Sequence, residues 1–300
     1  KINEWDIDNK DNLIRFQAPL EVLMDAEQIG IGTYSPIEGF MGRADIKSVL
    51  EEFKLVNGIT WTLPIVFQVT DEEKKFFRPG CRTLLTDQKN IIRSLIDVED
   101  VYKLDKKGTV QKWFNTDSMN HPGVAKMITG GDWFVGGKAS LVNMLKINNS
   151  EYQLTPLQSR KVFKTKGWST VVGFHTRNVI HRAHEFIQKT ALELLYADGL
   201  YVTPVIGPKK DGDYHSDAIL NSYKIMQSKV SYKDQLLLGV FLTFSRYSGP
   251  REAVFTALCR KNMGCSHFII GRDHTGVGDF YKGEANSAIF KKLGDLGIKP

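Results

Sequence analysis

The chain of 300 residues has little cysteine, only Cys81, Cys259 and Cys265. An odd number without C-x-x-C spacing argues against a disulfide framework and a zinc knuckle, and free thiols are typical of a reducing compartment. No apolar run approaches the roughly 20 residues of a membrane span, and no signal-peptide pattern opens the chain. We therefore expect a cytoplasmic protein without a membrane partner.

Several common motifs are missing as well. The sequence contains no G-x-x-x-x-G-K-[ST] P-loop, no G-x-G-x-x-G dinucleotide motif and no G-x-S-x-G nucleophile elbow. P-loop kinase chemistry, NAD redox chemistry and serine hydrolysis therefore have no support. Because no Lys/Arg-rich run with interleaved aromatics is present, the net charge of +6 favours small anionic ligands over nucleic acid.

What is present divides the chain near residue 155. Residues 1–155 contain short strand-like stretches separated by turns, of which residues 61–69 are the clearest. Short helices are predicted at 46–53 and 122–127. This half has no βαβ rhythm, which predicts a compact, mostly β domain.

Residues 156–300 alternate strands with helices. The predicted strands cover residues 170–174, 201–206, 236–244 and 266–270. The helices that follow them cover residues 181–196, residues 217–227 and a stretch that begins at Pro250. Such units in series imply an α/β fold with a parallel sheet, which binds ligands beyond the carboxyl ends of its strands.

The run His175-Thr-Arg-Asn-Val-Ile-His-Arg-Ala-His184 lies where a strand gives way to a helix. The first N–H groups of a helix lack partners and its dipole is positive there, so this end attracts anions. Arg177 adds a bidentate donor, while His181 and His184 share one helix face and can reach the same ligand. The run predicts a phosphate or sulfate site, with Asn178 as the helix N-cap.

A metal site is the alternative for paired histidines. Zinc would need a further His, Cys or carboxylate at coordinating distance, and H-E-x-x-H spacing is absent. We therefore expect the imidazoles, neutral or protonated, to hold oxyanions, and we expect no metal ion held by the protein itself.

Other basic or glycine-containing segments allow two interpretations. The loop Gly271-Arg-Asp-His-Thr-Gly276 follows a predicted strand, and its glycines let the backbone approach a ligand, although alone it is a weak motif. Arg246, Arg251 and Arg260 either form structural ion pairs or contact an anion. The loop residues Lys209 and Lys210 either lie on a solvated face or contact an anion.

Together these motifs resemble those of the ATP sulfurylase (sulfate adenylyltransferase) family over nearly the whole chain. The family's first signature is Gln-Thr-Arg-Asn-Pro followed by His-Arg-Ala-His, which corresponds to the run from His175 to His184. The segments similar to its other landmarks are Arg246-Tyr-Ser-Gly-Pro-Arg-Glu-Ala253, Gly271-Arg-Asp-His274, Gly32-Thr-Tyr-Ser-Pro-Ile-Glu-Gly-Phe-Met41 and His121-Pro-Gly-Val124. Several motifs in order are far more specific than any one of them.

The resemblance implies a PUA-like, mostly β domain over residues 1–155. It implies a Rossmann-like nucleotidyltransferase domain of the HIGH superfamily, with a parallel sheet, over residues 156–300. The reaction implied is the reversible conversion of ATP and sulfate to adenosine 5′-phosphosulfate and pyrophosphate, by in-line displacement at the α-phosphorus, with Mg²⁺ carried on the ATP phosphates. The resemblance also suggests a homodimer, and a C-terminal lobe that is missing after Pro300.

Residue roles come from the same resemblance. It implies catalytic roles for Arg177, Asn178, His181 and His184. It implies that sulfate is held by His175, Arg177 and the backbone N–H of Thr275. It implies that ATP is held by Thr176, Asn178, His181, His184, Gly271, Arg272, Asp273 and His274.

Two positions of the first motif differ from the family. His175 stands where the family has Gln, a sulfate ligand, and Val179 replaces the Pro that rigidifies the turn. An imidazole can still donate to sulfate, but its charge is expected to vary near neutral pH. Two alternatives stay open: adenylyl transfer to another oxyanion or a carboxylate, and a nucleotide-binding or RNA-binding homologue without catalysis.

Overall fold

The computed structural model describes residues 13–210, 212–271 and 274–300, which form two compact units. Their main boundary lies between Lys146 and Ile147, and the contiguous division at residue 155 stays a prediction. The first unit consists of the chain up to Lys146, Arg246–Phe255 and Arg272–Lys291. The second consists of Ile147–Ser245, Thr256–Gly271 and Lys292–Pro300.

The first unit is built on a β-sheet. Its elements up to Lys146 are β1 (Ile14–Gln17), α1 (Leu20–Gly30), β2 (Gly39–Phe40), α2 (Arg43–Glu52), β3 (Gln68–Val69), β4 (Arg82–Thr86), β5 (Ile92–Lys103), α3 (Lys106–Phe114), α4 (Pro122–Thr129) and β6 (Trp133–Leu141). The sheet order is β1-β4-β5-β6-β2, and β3 also pairs with β6. Only the β1–β4 pair among these is parallel.

The predicted short helices are confirmed as α2 and α4. Helix α4 has Pro122 in its first turn, where its missing N–H costs nothing. His121 caps it, because Nδ1 accepts from the N–H groups of Gly123 (3.1 Å) and Val124 (3.3 Å). Nε2 lies 3.0 Å from the Tyr247 carbonyl, so the neutral ring donates from Nε2. Burial lowers the pKa of His121, which agrees with that neutral form.

The strand predicted over residues 61–69 is mostly wrong, because only Gln68 and Val69 form a ladder. Pro64 has no N–H to donate and interrupts pairing along this stretch. The alternation in the sequence still marks burial correctly. The side chains that it places on one face are all completely buried: Trp61, Leu63, Ile65 and Phe67.

Buried arginines explain why the first unit includes residues 246–255. Arg246 forms a buried ion pair with Asp25, and although burial disfavours its charge, Asp25 raises the pKa of Arg246. Arg251 donates from one guanidinium to the carbonyls of Val49 (2.9 Å), Leu50 (2.6 Å), Thr62 (3.2 Å) and Lys112 (3.1 Å). The structure therefore gives both arginines structural partners, which was one of the two interpretations left open by the sequence.

The second unit contains the parallel sheet that the sequence predicts. Its elements are α5 (Pro156–Thr165), β7 (Val171–Thr176), α6 (Arg182–Leu194), β8 (Gly199–Ile206), α7 (Ser216–Gln227), β9 (Leu236–Leu238), β10 (Phe241–Leu242) and β11 (His267–Phe268). The order is β10-β8-β7-β11, with β9 also on β8, and every described pair is parallel. Two helices, α8 (Pro250–Asn262) and α9 (Ala285–Leu293), contain residues of both units.

The stretch predicted as one strand over residues 236–244 is two short strands. Val240 donates its N–H to the Tyr152 carbonyl (2.9 Å) and so leaves the sheet between β9 and β10. Gly239 lies against Tyr201, since a Cβ there would be 2.6 Å from the Tyr201 hydroxyl oxygen. This close approach and the redirected N–H account for the interruption.

Helix α6 buries a different side from the one its apolar residues suggest. Gln188 and Leu192 are its buried side chains. The sequence places Ala183, Phe186, Ile187, Ala191, Leu194 and Leu195 on one apolar face. Of these, Phe186 is 70% and Leu194 is 75% exposed. The helix therefore presents large apolar side chains to solvent. No helix within the described ranges is long and apolar enough to cross a membrane.

Candidate anion site at the start of helix α6

The site is formed where β7 ends and α6 begins. The Thr176 hydroxyl oxygen accepts the Asn178 N–H (3.1 Å), which closes the turn after the strand. Ile180 donates its N–H to the Ser222 hydroxyl (3.2 Å) and ties the turn to α7. The N-cap is His181, so the predicted cap at Asn178 is wrong because the turn continues for three more residues.

His181 and His184 lie together at this helix end. Their rings stack with centroids 3.8 Å apart and planes inclined by 26°, and the His184 ring also meets Phe174 edge-on at 5.5 Å. Burial lowers the pKa of His184 to about 4, the charge of His181 lowers it further, and the Val179 backbone opposes this. His184 is therefore uncharged near pH 7 and offers one N–H donor.

The helix adds backbone donors to these rings. Glu185 is the first residue whose N–H bonds back to His181, at 3.1 Å. The preceding N–H groups, those of residues 182–184, have no acceptor within the helix and lie at its positive end. The two imidazoles and these backbone N–H groups thus lie at the same end of the helix.

Arg177 and Lys209 place two cations at the carboxyl ends of neighbouring strands. Lys209 follows β8, whose residue Pro204 is in register with Thr176 of β7. Its Nζ donates to the Val205 carbonyl at 2.9 Å. Burial lowers the pKa of Lys209 to about 8, Asp213 opposes the shift, and the charge of Arg177 adds to it. The two cations are close enough to repel each other, which an anion would relieve.

The structure distinguishes Lys209 from Lys210, for which the sequence allows the same two interpretations. Lys210 is exposed, as expected of a solvated loop face, and pairs with the half-buried Asp213 at 3.5 Å. Lys209 is half-buried. The signal that could have singled it out is its position directly after a strand, at the edge of the sheet where parallel α/β folds bind ligands.

His175 is at the same edge, one residue before the end of β7. Its Nδ1 lies 2.8 Å from Nη2 of Arg260, a helix residue that is almost completely buried. Sequence reasoning missed this pair, because the two residues are far apart in the chain and only the fold brings them together.

The other predicted ligand contacts lie between Gly271 and Thr275. Gly271 is exposed and belongs to the second unit, whereas His274 and Thr275 are buried in the first. Thr275 has a left-handed backbone (φ 56°), and its hydroxyl lies 3.0 Å from the Gly249 carbonyl. The predicted ATP contacts Arg272 and Asp273 lie outside the described residues.

Over residues 13–210, 212–271 and 274–300, no group of three or more His, Cys, Asp or Glu residues is placed to hold a metal ion. The imidazoles and cations of the site described above are N–H donors suited to oxyanions. Mg²⁺, which prefers carboxylate and phosphate oxygens, does not match this set.

Two family models match the chain. The ATP-sulfurylase model matches residues 150–300 and the model of a PUA-like domain matches residues 7–144. The predicted fold class, a PUA-like domain followed by an α/β nucleotidyltransferase domain, is therefore confirmed.

Curated relatives named sulfate adenylyltransferase are similar over most of the chain. That of Pyrococcus abyssi is 43% identical over 277 residues, which are 92% of this chain and 72% of the relative. That of Chloroflexus aurantiacus is 41% identical over 280 residues, 93% of this chain and 72% of the relative. That of Ignicoccus hospitalis is 38% identical over 300 residues, 100% of this chain and 78% of the relative.

A solved structure is similar in fold. The hexameric APS kinase from Thiobacillus denitrificans matches with a TM-score of 0.76 and 18% sequence identity. The match covers 99% of this chain and 53% of that chain. Together with the curated relatives and the two family models, the order of motifs around the site leads to one assignment: the chain belongs to the ATP sulfurylase family.

Proposed function

We propose that the protein is a sulfate adenylyltransferase, which converts ATP and sulfate reversibly to adenosine 5′-phosphosulfate and pyrophosphate. The observation that carries this proposal is the cluster of N–H donors at the start of α6, where the stacked His181 and His184 rings adjoin the free N–H groups of the helix. In a chain of this family, such a cluster suits the phosphates of ATP.

The chemistry is a single displacement. A sulfate oxygen attacks the α-phosphorus, a new P–O bond forms to sulfate, and the bond to the oxygen bridging the α- and β-phosphorus breaks to release pyrophosphate. Both substrates are anions that repel each other, so the protein gains most by positioning them and by stabilising charge at the α-phosphorus and on the leaving group. The displacement requires no proton from His184, which agrees with its neutral state near pH 7.

The two halves of the cluster suit different anions. We assign the phosphates of ATP to Asn178, His181 and His184 at the helix end, and the acceptor oxyanion to His175 and Arg177 at the strand end. Lys209 joins the second group because it interacts with Arg177. The resemblance extends the proposal to further ATP contacts at Thr176, Gly271, Arg272, Asp273 and His274, and to a sulfate contact at the N–H of Thr275.

Mg²⁺, partners and location complete the proposal. Mg²⁺ bound to ATP would neutralise phosphate charge, with its ligands coming mainly from the nucleotide.

A second copy of the chain is the proposed protein partner, supported by the exposed apolar side chains of α6 and by the hexameric assembly of the structural neighbour. The cytoplasm is the proposed location because ATP is the substrate and the cysteines are free thiols.

Replacement of either stacked histidine by alanine tests the assignment. His181→Ala and His184→Ala remove a donor to the transition state, and each is expected to lower kcat by a factor on the order of 10². The measurement is sulfate-dependent pyrophosphate release from ATP. Lys189→Ala, at an exposed position of the same helix, is the control and should retain the wild-type rate. A near-normal rate in either histidine variant would contradict the proposal.

The alternative acceptor is the second candidate, and His175 is the observation that favours it, since the family has Gln there. ATP–pyrophosphate exchange measured with sulfate and a panel of other oxyanions and carboxylates distinguishes the two functions. Exchange that depends on sulfate supports the sulfate adenylyltransferase. Exchange that is independent of sulfate and requires another acceptor would show that the protein adenylylates that acceptor instead.

A further inference from the structure

Arg260 is a cation held inside the second unit, with 1% of its surface exposed. Gly173 on β7 leaves room for it, because a Cβ there would lie 2.9 Å from Arg260 Cγ. The guanidinium lies 4.4 Å from the centre of the Phe241 ring, and its Nη2 donates to the Thr203 carbonyl at 3.2 Å. These contacts, one of them a cation–π contact, hold the guanidinium in one position.

The same Nη2 is 2.8 Å from Nδ1 of His175. A guanidinium can only donate, so Nδ1 must accept and carries no proton. In the neutral imidazole the proton is then on Nε2. The His175 ring also meets the Phe241 ring edge-on, with centroids 6.1 Å apart and planes at 73°, which restricts its rotation. Arg260 and Phe241 thus define both the tautomer and the ring plane.

Two titratable groups that interact with Arg260 do not offset its charge. Burial raises the pKa of Cys265 to about 12, with Arg260 and Arg160 opposing the shift. Burial also raises the pKa of Tyr201, with Cys265 adding to the shift and Arg260 opposing it. Both groups are therefore neutral near pH 7, and Arg260 presents a full positive charge to His175.

Two further cations follow the ends of β7 and β8 at this edge of the sheet. Arg177 is two positions after His175, and Lys209 interacts with Arg177. A second proton on His175 would put N–H against N–H at Arg260 and add a further positive charge to this set, both of which cost electrostatic energy. A positive charge on His175, which the sequence analysis expects to vary near neutral pH, is therefore opposed by the Arg260 guanidinium.

We infer that Arg260 is a positioning residue that keeps His175 as the uncharged Nε2–H tautomer and makes it a fixed N–H donor to the acceptor oxyanion. The ligand in this inference rests on the proposed function, whereas the tautomer does not. A glutamine amide offers a neutral N–H donor of the same kind. His175 supported by Arg260 therefore provides at this position the contact that the family obtains from glutamine.

The pH dependence of sulfate binding tests the inference. For the wild type, the KM for sulfate is expected to be flat between about pH 6 and 8, because His175 does not change charge there. In Arg260→Gln, His175 is freed to titrate near its ordinary value of about 6.5. The KM for sulfate should then fall about tenfold toward pH 6, the gain typical of a charged over a neutral donor, while the KM for ATP stays flat.

The double variant His175→Gln/Arg260→Gln is the matched control. It has no imidazole at this position, so its sulfate KM should be flat again across the same pH range. A sulfate KM that titrates in the wild type would overturn the inference. So would a flat profile in Arg260→Gln, or a profile in the double variant that still titrates.

Nitrogen-15 NMR of the histidine rings in the wild-type protein reads the tautomer directly, even if Arg260→Gln fails to fold. The signal is assigned by its loss in His175→Gln. A neutral Nε2–H ring from about pH 6 to 8 is expected, and an Nδ1–H or doubly protonated ring would contradict the inference. This measurement needs no sulfate. A protein without sulfate-dependent activity would refute the proposed function, while the NMR spectrum would still decide the tautomer of His175.

Discussion

Lys209 and Lys210 are neighbours with the same side chain in different surroundings. Lys210 is exposed and pairs with Asp213. Lys209 is half-buried, and burial lowers its pKa to about 8. A half-buried ammonium next to a second cation destabilises the fold, so a functional contact is the physical reason to expect a lysine here.

Lys209→Met separates function from stability. Below pH 8 the variant should bind the anionic acceptor roughly tenfold more weakly, because a cation of the site is lost. It should also unfold about 2–4 °C higher, the shift expected for about 1 kcal/mol in a chain of this size. The measurements are the KM for sulfate and the thermal midpoint. Lys210→Met, the control, should change neither, and a Lys209→Met variant of unchanged KM would refute the role in binding.

The sign of the pH effect follows from the two pKa values of Lys209. The unfolded side chain titrates near 10.5 and the folded one near 8, so between these values the unfolded chain binds more protons. Wild-type stability should therefore rise relative to that of Lys209→Met as pH increases from about 8 to about 10.5. Above that window both states are uncharged and the difference should disappear.

At the scale of elements, helix α8 contains two buried arginines with different roles. Arg251 near its start belongs to the first unit and Arg260 near its end belongs to the second. Arg251 binds backbone carbonyls of α2, of α3 and of the segment after α2. Arg260 binds the ring of His175. The role of each arginine is therefore set by the partners it has within its own unit.

Arg251→Lys tests the first of these roles. A lysine keeps the charge but cannot reach the carbonyls that the planar guanidinium bridges, so buried acceptors lose their donors. We expect the free energy of unfolding to fall by about 2–4 kcal/mol, measured by urea denaturation. Arg78→Lys at an exposed position should change it by less than about 0.5 kcal/mol. Equal effects of the two substitutions would show that the bridging contacts contribute nothing.

At the scale of the whole molecule, the exposed apolar side of α6 is the feature that an isolated chain does not explain. Phe186 and Leu194 stay largely exposed, and so does Tyr196 just beyond the helix, at 92%. Monomeric proteins rarely leave such groups of large apolar side chains together in water. Association of two copies would remove them from water.

Phe186→Glu/Leu194→Glu tests this association. The wild type is expected to have a mass that is a multiple of the 33.9 kDa of one chain, and the variant should be monomeric because buried glutamates would be desolvated. Light scattering after size-exclusion chromatography measures the mass. Leu157→Glu, at an exposed apolar position on α5, is the control and should preserve the wild-type mass. A monomeric wild type at tens of micromolar would contradict the proposed dimer.

Local signals in the sequence are sufficient to predict much of the secondary structure of this protein. The β7–turn–α6 unit, the parallel sheet of the second unit and helices α2 and α4 were all predictable, because apolar periodicity and turn residues act over a few positions. The order of motifs also identifies the family. Errors arose where the same local pattern fits two structures. Around Pro64, the side chains alternate in burial as in a strand, but the backbone does not pair because proline has no N–H to donate.

Contacts between distant residues were decided only by the tertiary structure. The burial of Lys209 requires β8 to align beside β7, and the pairing of His175 with Arg260 requires a helix more than 80 positions away to pack under that sheet edge. Amino-acid type alone sets which hydrogen bonds and charges are available. Which of them meet, and with what protonation state, depends on burial and distance, because desolvation and electrostatic energy exist only once the chain has folded.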